Sequence, residues 1–285
     1  MEKTLIAFDT ETTGQYALGS EICEIAAVKW QNGREVATFQ SLLRPRAPMS
    51  DFVIGIHGIT NEMVATAPLA KDVLPEFLAF IKGGVLLAHH AQFDLGFLAV
   101  QIEDAGLPLP TEPTICTSLL AQAIETETVN HKLQTLVQHY GIDPGQAHRA
   151  LDDARACLHV ALRLFEKMSP GQELTLEQMA EPMYRANRKS GRALPGAGPM
   201  HFSRFSMREL ARNPDFSQLI EAARTKKPIK MTYRGGSRPG QVREILPLGI
   251  IRQLDGDSLV ASEIVDGRIA DQSKRYWLKD VVSVG

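Results

Sequence analysis

Apolar residues along this chain fall into short runs and helical stripes that alternate, and this alternation predicts an α/β unit over residues 1–168. Leu5, Ile6, Ala7 and Phe8 form an uninterrupted apolar run that stops at Asp9, long enough for a buried strand and too short for a helix. Residues 22–30 and 35–43 are also strand-like, and Asn32-Gly33 between them readily adopts the positive φ angles of a tight hairpin turn. Helical spacing over 72–81 stops at Gly83-Gly84, after which the apolar run 85–88 feeds a helix over 94–105. Three further helices are expected over 117–123, 131–140 and 150–167. The order fits a mixed sheet of three antiparallel strands with parallel additions, flanked by helices.

Beyond residue 168 the pattern changes. A short helix is expected within 169–183, and 191–199 (GRALPGAGP) is the strongest cluster of chain breakers, so 169–212 reads as a linker. A helix over 216–225 then precedes strand-like runs at 229–233, 242–246, 248–253, 258–264 and 276–284. These predict a small β-rich domain over 213–285. A length of 285 residues accommodates both units. With 44% hydrophobic and 22% charged residues, the composition is that of an ordinary soluble protein and excludes only disordered and collagen-like chains. No uncharged apolar run approaches the ~20 residues that cross a bilayer. Met1-Glu2-Lys3 leads into the first strand without a signal peptide, so a cytoplasmic protein is expected. Cys23, Cys116 and Cys157 are far apart and form no CxxC pair, which predicts buried free thiols.

The net charge of −2 conceals a split. Residues 1–168 carry 12 Lys and Arg against 20 Asp and Glu, net −8, whereas 169–285 carry 19 against 13, net +6. Arg185, Arg188, Lys189, Arg192, Arg204, Arg208 and Arg212 are answered within 184–212 by Glu209 alone. Such a run fits either polyanion binding or a solvated basic linker.

Four acids occupy unusual settings. Asp9 and Glu11 end the first apolar strand, and residues two apart on a strand project from the same face. Asp94 opens the helix that follows the strand at 85–88. Asp153 borders the apolar stripe Leu151, Ala154, Leu158, Leu162 and Phe165 of the last long helix. Taken singly, each is explained by a turn, a helix N-terminus or a solvated face. Together they would raise one another's pKa unless cations held them, and the fitting occupants are hard divalent ions with oxygen ligands, Mg²⁺ or Mn²⁺.

The runs Phe8-Asp9-Thr10-Glu11-Thr12-Thr13-Gly14, His89-His90-Ala91-Gln92-Phe93-Asp94 and His148-Arg149-Ala150-Leu151-Asp152-Asp153-Ala154 resemble, in order, the three exonuclease motifs of the DnaQ-like DEDD family. His57-Gly58-Ile59-Thr60 resembles a further family element, and the likeness covers residues 4–168. A histidine five positions before the last aspartate is similar to the DEDDh branch. Many relatives have Asn where this chain has His90. The resemblance implies an RNase H-like fold and a 3′–5′ exonuclease that releases 5′-nucleotides from a free 3′ end, DNA favoured over RNA. It further implies that Asp9, Glu11, Asp94 and Asp153 hold two metal ions about 3.5 to 4 Å apart and that His148 is the general base. Thr12, Thr13, Gly14 and His57 would then contact the terminal nucleotide of a single-stranded 3′ end. Inside one regular helix, five positions would place His148 about 140° from Asp153, so His148 is expected in the loop or first turn ahead of the helix.

The segments 229–233, 243–249, 258–261 and 274–284 resemble a WYL domain, a small module of Sm-like barrel topology. The family's Trp-Tyr-Leu falls on Asp257, Ser258 and Leu259 here, and Asp280 replaces a late arginine. The resemblance implies ligand binding, often of nucleic acid, with Tyr233, Arg243, Lys274 and Arg275 as candidates. They could equally pack the sheet or pair locally. An alternative function, a noncatalytic WYL-type nucleic-acid-binding regulator, would usually carry an N-terminal helix-turn-helix where this chain has a complete set of acids.

Overall fold

A computed structural model describes residues 3–143, 145–185 and 194–285. β1 (Leu5–Thr12), β2 (Ile22–Gln31) and β3 (Arg34–Leu42) form an antiparallel meander, to which β4 (Val85–Ala88) and β5 (Thr114–Cys116) add in parallel. The order β3-β2-β1-β4-β5 puts β1 at the centre, which explains its nearly continuous burial. Three helices precede β4: α1 (Asp51–His57), α2 (Asn61–Val64) and α3 (Ala70–Ile81). After β4 comes α4 (Gln92–Asp104), and α5 (Thr117–Ile124), α6 (Leu133–Tyr140) and α7 (Ala150–Met168) follow β5.

α7 packs across β1 and β2. Its buried residues Ala154, Leu158, Ala161 and Phe165 recur at three- and four-residue spacing, and each fully buried leucine contributes roughly 1.5–3 kcal/mol. Because α7 seats on the same strands that carry Asp9 and Glu11, its first turn is brought to their ends. The mixed α/β sheet with flanking helices expected from the sequence is present.

The described parts of the segment expected to be a linker, 169–185 and 194–212, are built into this core. They contain α8 (Leu176–Ala180), a 3-10 turn at Glu181–Tyr184, a second at Phe202–Phe205 and α9 (Met207–Leu210). Met183, Met200, Phe202 and Phe205 are buried in the core of the first sheet. Met200 exchanges two backbone hydrogen bonds of 2.8 Å with Thr114. The buried carboxylate of Glu103 accepts from the Met207 and Arg208 backbone N–H groups at 3.1 and 3.2 Å and from the Ser206 hydroxyl. The described part of the breaker cluster, 194–199, holds no helix or strand, and the two phenylalanines that follow it pin the chain, because burying them offsets the ordering of the segment. Arg188, Lys189 and Arg192 lie outside the described residues. Three other members of the basic run find partners from beyond it, Arg185 pairing with Glu181, Arg204 with Asp257 and Arg208 with the Glu103 carbonyl, and Arg212 pairs within it with Glu209.

The remaining chain forms α10 (Pro214–Thr225) and an antiparallel sheet of β6 (Ile229–Tyr233), β7 (Val242–Gln253), β8 (Gly256–Val265), β9 (Arg268–Trp277) and β10 (Val281–Val284), in the order β10-β6-β7-β8-β9. β7 unites two expected strands through an irregularity between Pro247 and Gly249. The single strand expected at 276–284 is instead the end of β9, a 3-10 turn at Leu278–Asp280 and β10. Among the described residues no helix is long and apolar enough to cross a membrane. The three cysteines are free and buried.

Candidate active site

β1 delivers Asp9 and Glu11 to one cavity of about 490 Å³, which is also lined by Asp94, His148 and Asp153. Each acid is placed by its element. The Thr10 backbone N–H and hydroxyl donate to Asp94 Oδ1 at 3.1 and 2.7 Å, which ties the start of α4 to β1. The His148 backbone N–H donates to Asp153 Oδ2 at 2.9 Å. His148 therefore sits before the helix, as the five-residue spacing required, with a left-handed φ of 61°. The loop ahead of it is shaped by Gly145, whose φ is 54° and where a Cβ would lie 2.6 Å from Asp152 Cγ. Glu11, His148 and Asp153 bring one potential ligand atom each within 4.8 Å of one another.

The electrostatics of the cavity show what it can hold. Burial, then Asp94, Glu11, Asp153 and Glu24, push Asp9 well above the usual carboxylate range. Glu11 is raised to about 8 by burial and by Asp153, Glu24 and Asp94, with Arg149 only partly opposing. Burial raises Asp94 to about 7 against the hydrogen bonds from Thr10, and raises Asp153 against that from His148. The Arg149 guanidinium, which favours ionised Glu11, is committed to Glu24 at 2.7 Å. A set of hard oxygen donors with uncompensated charge fits divalent cations.

These shifts predict a pH dependence of stability. An acid whose folded pKa exceeds its unfolded value binds more protons when folded, so stability falls as pH rises through the window between them. For Glu11 that window runs from 4.5 to about 8, and for Asp94 from 3.8 to about 7. His89, lowered to about 3 chiefly by burial, acts with the opposite sign, but its contribution is complete by its ordinary value of 6.5. Between about pH 6.5 and 8 the acids alone decide. Thermal unfolding in chelator should therefore show a melting temperature that falls across this range, and Mg²⁺ should raise it more at the alkaline end. A melting temperature that climbs with pH in chelator would contradict the charge distribution described.

Glu24 is a residue that sequence reasoning missed. It lies opposite Glu11 in the β1–β2 register and is fully buried. It accepts from the Arg149 guanidinium at 2.7 and 3.2 Å, the Ala150 backbone N–H at 3.0 Å and Gln40 at 2.9 Å. Burial alone would raise its pKa, but these donors outweigh it and hold the carboxyl below its ordinary value. Glu24 thus anchors the start of α7, and with it His148 and Asp153. The available signal was one carboxylate inside the otherwise apolar run Ile22 to Val28. His89, His90, Gln92, Phe93 and Gln253 also line the cavity. His89 Nε2 donates to the His131 carbonyl at 3.0 Å, which leaves Nδ1 to accept from the Thr117 hydroxyl at 2.9 Å, so this ring is neutral and structural.

Thr12, Thr13, Gly14 and His57 are not in the cavity lining. Thr12 ends β1, Thr13 and Gly14 lie in the turn after it, where the Thr12 hydroxyl donates to the Gly14 carbonyl at 2.8 Å, and His57 ends α1. His57 is buried, bonds the Thr12 backbone and accepts from the Ile59 N–H through Nδ1 at 3.0 Å. In the second sheet, Tyr233 and Arg243 are 6% and 4% exposed, so neither offers the outward face expected of a nucleic-acid contact. The reason is Glu263: it binds Arg243, Lys274 and the Tyr276 hydroxyl, each at 2.9 Å, and Arg238 at 3.0 Å. Burial opposes ionisation of Glu263, but Lys274, Tyr276 and Arg243 hold it at about 2. Arg275 alone of the four candidates lies by the cavity, its guanidinium donating to Gln253 Oε1 at 2.5 Å.

A mixed sheet whose central strand carries two acids, with a third from the next helix and a fourth paired to a histidine ahead of the last helix, is the arrangement of a DnaQ-like nuclease. The exonuclease family typified by RNase T matches residues 6–161, more than half of the chain, and the chain belongs to that family. It is 37% identical over 182 residues to a PolC-type DNA polymerase III of Caldanaerobacter subterraneus subsp. tengcongensis, which covers 64% of this chain and 13% of the polymerase. The corresponding polymerase of Halalkalibacterium halodurans is 35% identical over 187 residues, covering 66% and 13%. The chain therefore spans about an eighth of these curated relatives. Among solved structures, exonuclease X in complex with 5′-overhanging duplex DNA is 30% identical, with a TM-score of 0.50 over 63% of this chain and 99% of that one. An exonuclease I structure covers 98% of this chain and 64% of that one at a TM-score of 0.52 and 12% identity, a likeness of fold alone.

Proposed function

We propose that this protein is a metal-dependent 3′–5′ exonuclease that hydrolyses nucleic acid from a free 3′ end and releases 5′-nucleotides. The observation that carries the reading is the convergence of Asp9, Glu11, Asp94, Asp153 and His148 on one cavity. The four acids would hold two Mg²⁺ or Mn²⁺ ions, which supply charge neutralisation for the attacking and leaving oxygens. His148, exposed at the rim, accepts the proton of the attacking water. The bond from its own backbone N–H to Asp153 fixes the reach of its ring. Thr10 holds Asp94 in register with Asp9. Thr12, Thr13 and Gly14, joined to His57 beside Glu11, would receive the terminal nucleotide. DNA ranks ahead of RNA because the two curated relatives named above are DNA polymerases. The second unit is read as a WYL-type module of Sm-like topology acting on nucleic acid, a reading supported by its order of one helix followed by five antiparallel strands.

The test uses one single-stranded oligonucleotide labelled at its 3′ end or at its 5′ end, as DNA and as RNA, with Mg²⁺ or chelator. In Mg²⁺ the 3′ label should be released at once as a mononucleotide while the 5′ label shortens stepwise, and chelator should stop both. Immediate release of the 5′ label would reverse the polarity.

A further inference from the structure

The cavity that holds the acids is walled on one side by a residue of the second sheet. Gln253, the last residue of β7, lines it and begins the hairpin that leads through Gly256 into β8. The Leu254 backbone N–H donates to Gln92 Oε1 at 2.7 Å, which fastens the hairpin to the first residue of α4, two positions before Asp94. Arg204 donates to the Gln253 carbonyl and pairs with Asp257 at 2.9 Å across the same turn. The hairpin is thus fixed relative to the acids.

Its side chains carry suitable chemistry. The Arg275 guanidinium donates to Gln253 Oε1 and lies 5.0 Å from the centroid of the Trp277 ring. Only the oxygen of the amide can accept from a guanidinium, so Gln253 keeps Nε2 as a donor. Trp277 is packed against the turn: at Gly256, whose φ is 138°, a Cβ would lie 3.4 Å from the indole. Arg275 is exposed and Trp277 half-buried, and on the nuclease side of the cavity Phe93 is 41% exposed. An amide donor at the rim, a fixed cation next to it and an aromatic plane beyond it form a graded path. Positive charge appears there where the net −8 of residues 1–168 would otherwise repel a phosphate backbone.

We propose that the β7–β8 hairpin is the second wall of the active-site cleft and carries the nucleic-acid strand as it leaves the cavity. Gln253 contacts the nucleotide next to the scissile phosphodiester, and Arg275 with Trp277 receives the following phosphate and base. This rests on reading the cavity as the exonuclease site. Arg275 with Trp277 is the specificity-determining contact that sets how strongly the enzyme prefers a long strand to a dinucleotide, and Gln253 is a contact that both substrates share.

Two measurements test it. In a Trp30→Phe background Trp277 is the only tryptophan, and with chelator present to prevent turnover, single-stranded oligothymidylate should quench its emission while thymidine 5′-monophosphate should not. In Mg²⁺, Arg275→Ala should raise KM for oligothymidylate by on the order of tenfold, the scale of one lost stacking or charged contact, with a smaller loss on a dinucleotide, which ends before the phosphate that Arg275 receives, whereas Gln253→Ala, whose contact a dinucleotide keeps, should lose on both. Arg275 is exposed, so its variant keeps the test open if Gln253→Ala fails to fold. Emission unaltered by the oligonucleotide, or an equal loss on both substrates in Arg275→Ala, would overturn the proposal. Failure of the wild type to cleave any strand would instead remove the exonuclease reading itself, and the quenching would still be measurable.

Discussion

Alanine at Asp9 is expected to silence hydrolysis, lowering the rate on the order of 10³-fold or more, while the protein stays folded. Asp9 is the carboxylate that the other acids of the cavity crowd most, with Asp94, Glu11, Asp153 and Glu24 all raising its pKa after burial itself. A group so placed opposes folding whenever it is ionised and has no cation. Its removal relieves charge repulsion, and metal-free Asp9→Ala should melt above the wild type near pH 8. Its oxygens are also donors to any divalent ion in the cavity, and a lost ligand forfeits several kcal/mol of transition-state stabilisation, each 1.36 kcal/mol being about tenfold in rate. The two effects have opposite signs, which separates a ligand from a packing residue: a packing residue would lose stability along with activity. Full activity of Asp9→Ala in Mg²⁺ would remove the metal-site assignment, and Asp153→Ala should behave alike.

The second large effect falls on His148. A positioned general base typically contributes about 10² to 10⁴-fold, so His148→Ala should lower kcat by that factor with metal affinity little changed. The geometry allows the distinction to be drawn. The ring nitrogens approach Glu11 and Asp153 closely enough for a shared ion, yet the bond that fixes the residue runs from its backbone N–H to Asp153, and the side chain is exposed at the rim. A ligand would be expected among the buried acids. Titrating Mg²⁺ against activity and against melting temperature gives two affinities. Were both to collapse in His148→Ala, the histidine would be a ligand and not a base.

Much of the site was legible because its residues stand at the ends of elements whose patterns are strong. The run Leu5 to Phe8 could only be a buried strand, so Asp9 and Glu11 had to share one face at its end. The stripe of α7 put Asp153 at the border of the core, and the five-residue spacing excluded His148 from the same helix face. Glu24 was harder to see, since a single acid in an apolar strand has no period and its role depends on Arg149, 125 residues away. β9 failed for a different reason. Its residues from Arg268 to Arg275 are largely exposed, as on an edge strand, so no apolar alternation marked it, and the apolar Trp277-Leu278 pair drew the expected strand too far along the chain. Gln253 had no local signal, because its approach to Asp94 depends on how two sheets pack. The Tyr233–Arg243 pair misled because an arginine near an aromatic residue looks alike in sequence whether it faces a phosphate or a buried Glu263.

The central claim is that this cavity hydrolyses phosphodiesters by attack of water on phosphorus with departure of the 3′ oxygen. Digestion of an oligonucleotide in ¹⁸O-enriched water with Mg²⁺, followed by mass spectrometry of the products, measures this directly. The account predicts mononucleotides bearing a 5′-phosphate that carries one ¹⁸O, and no such product from Asp9→Ala. Products ending in a 3′-phosphate, or 5′-mononucleotides without the isotope, would contradict it.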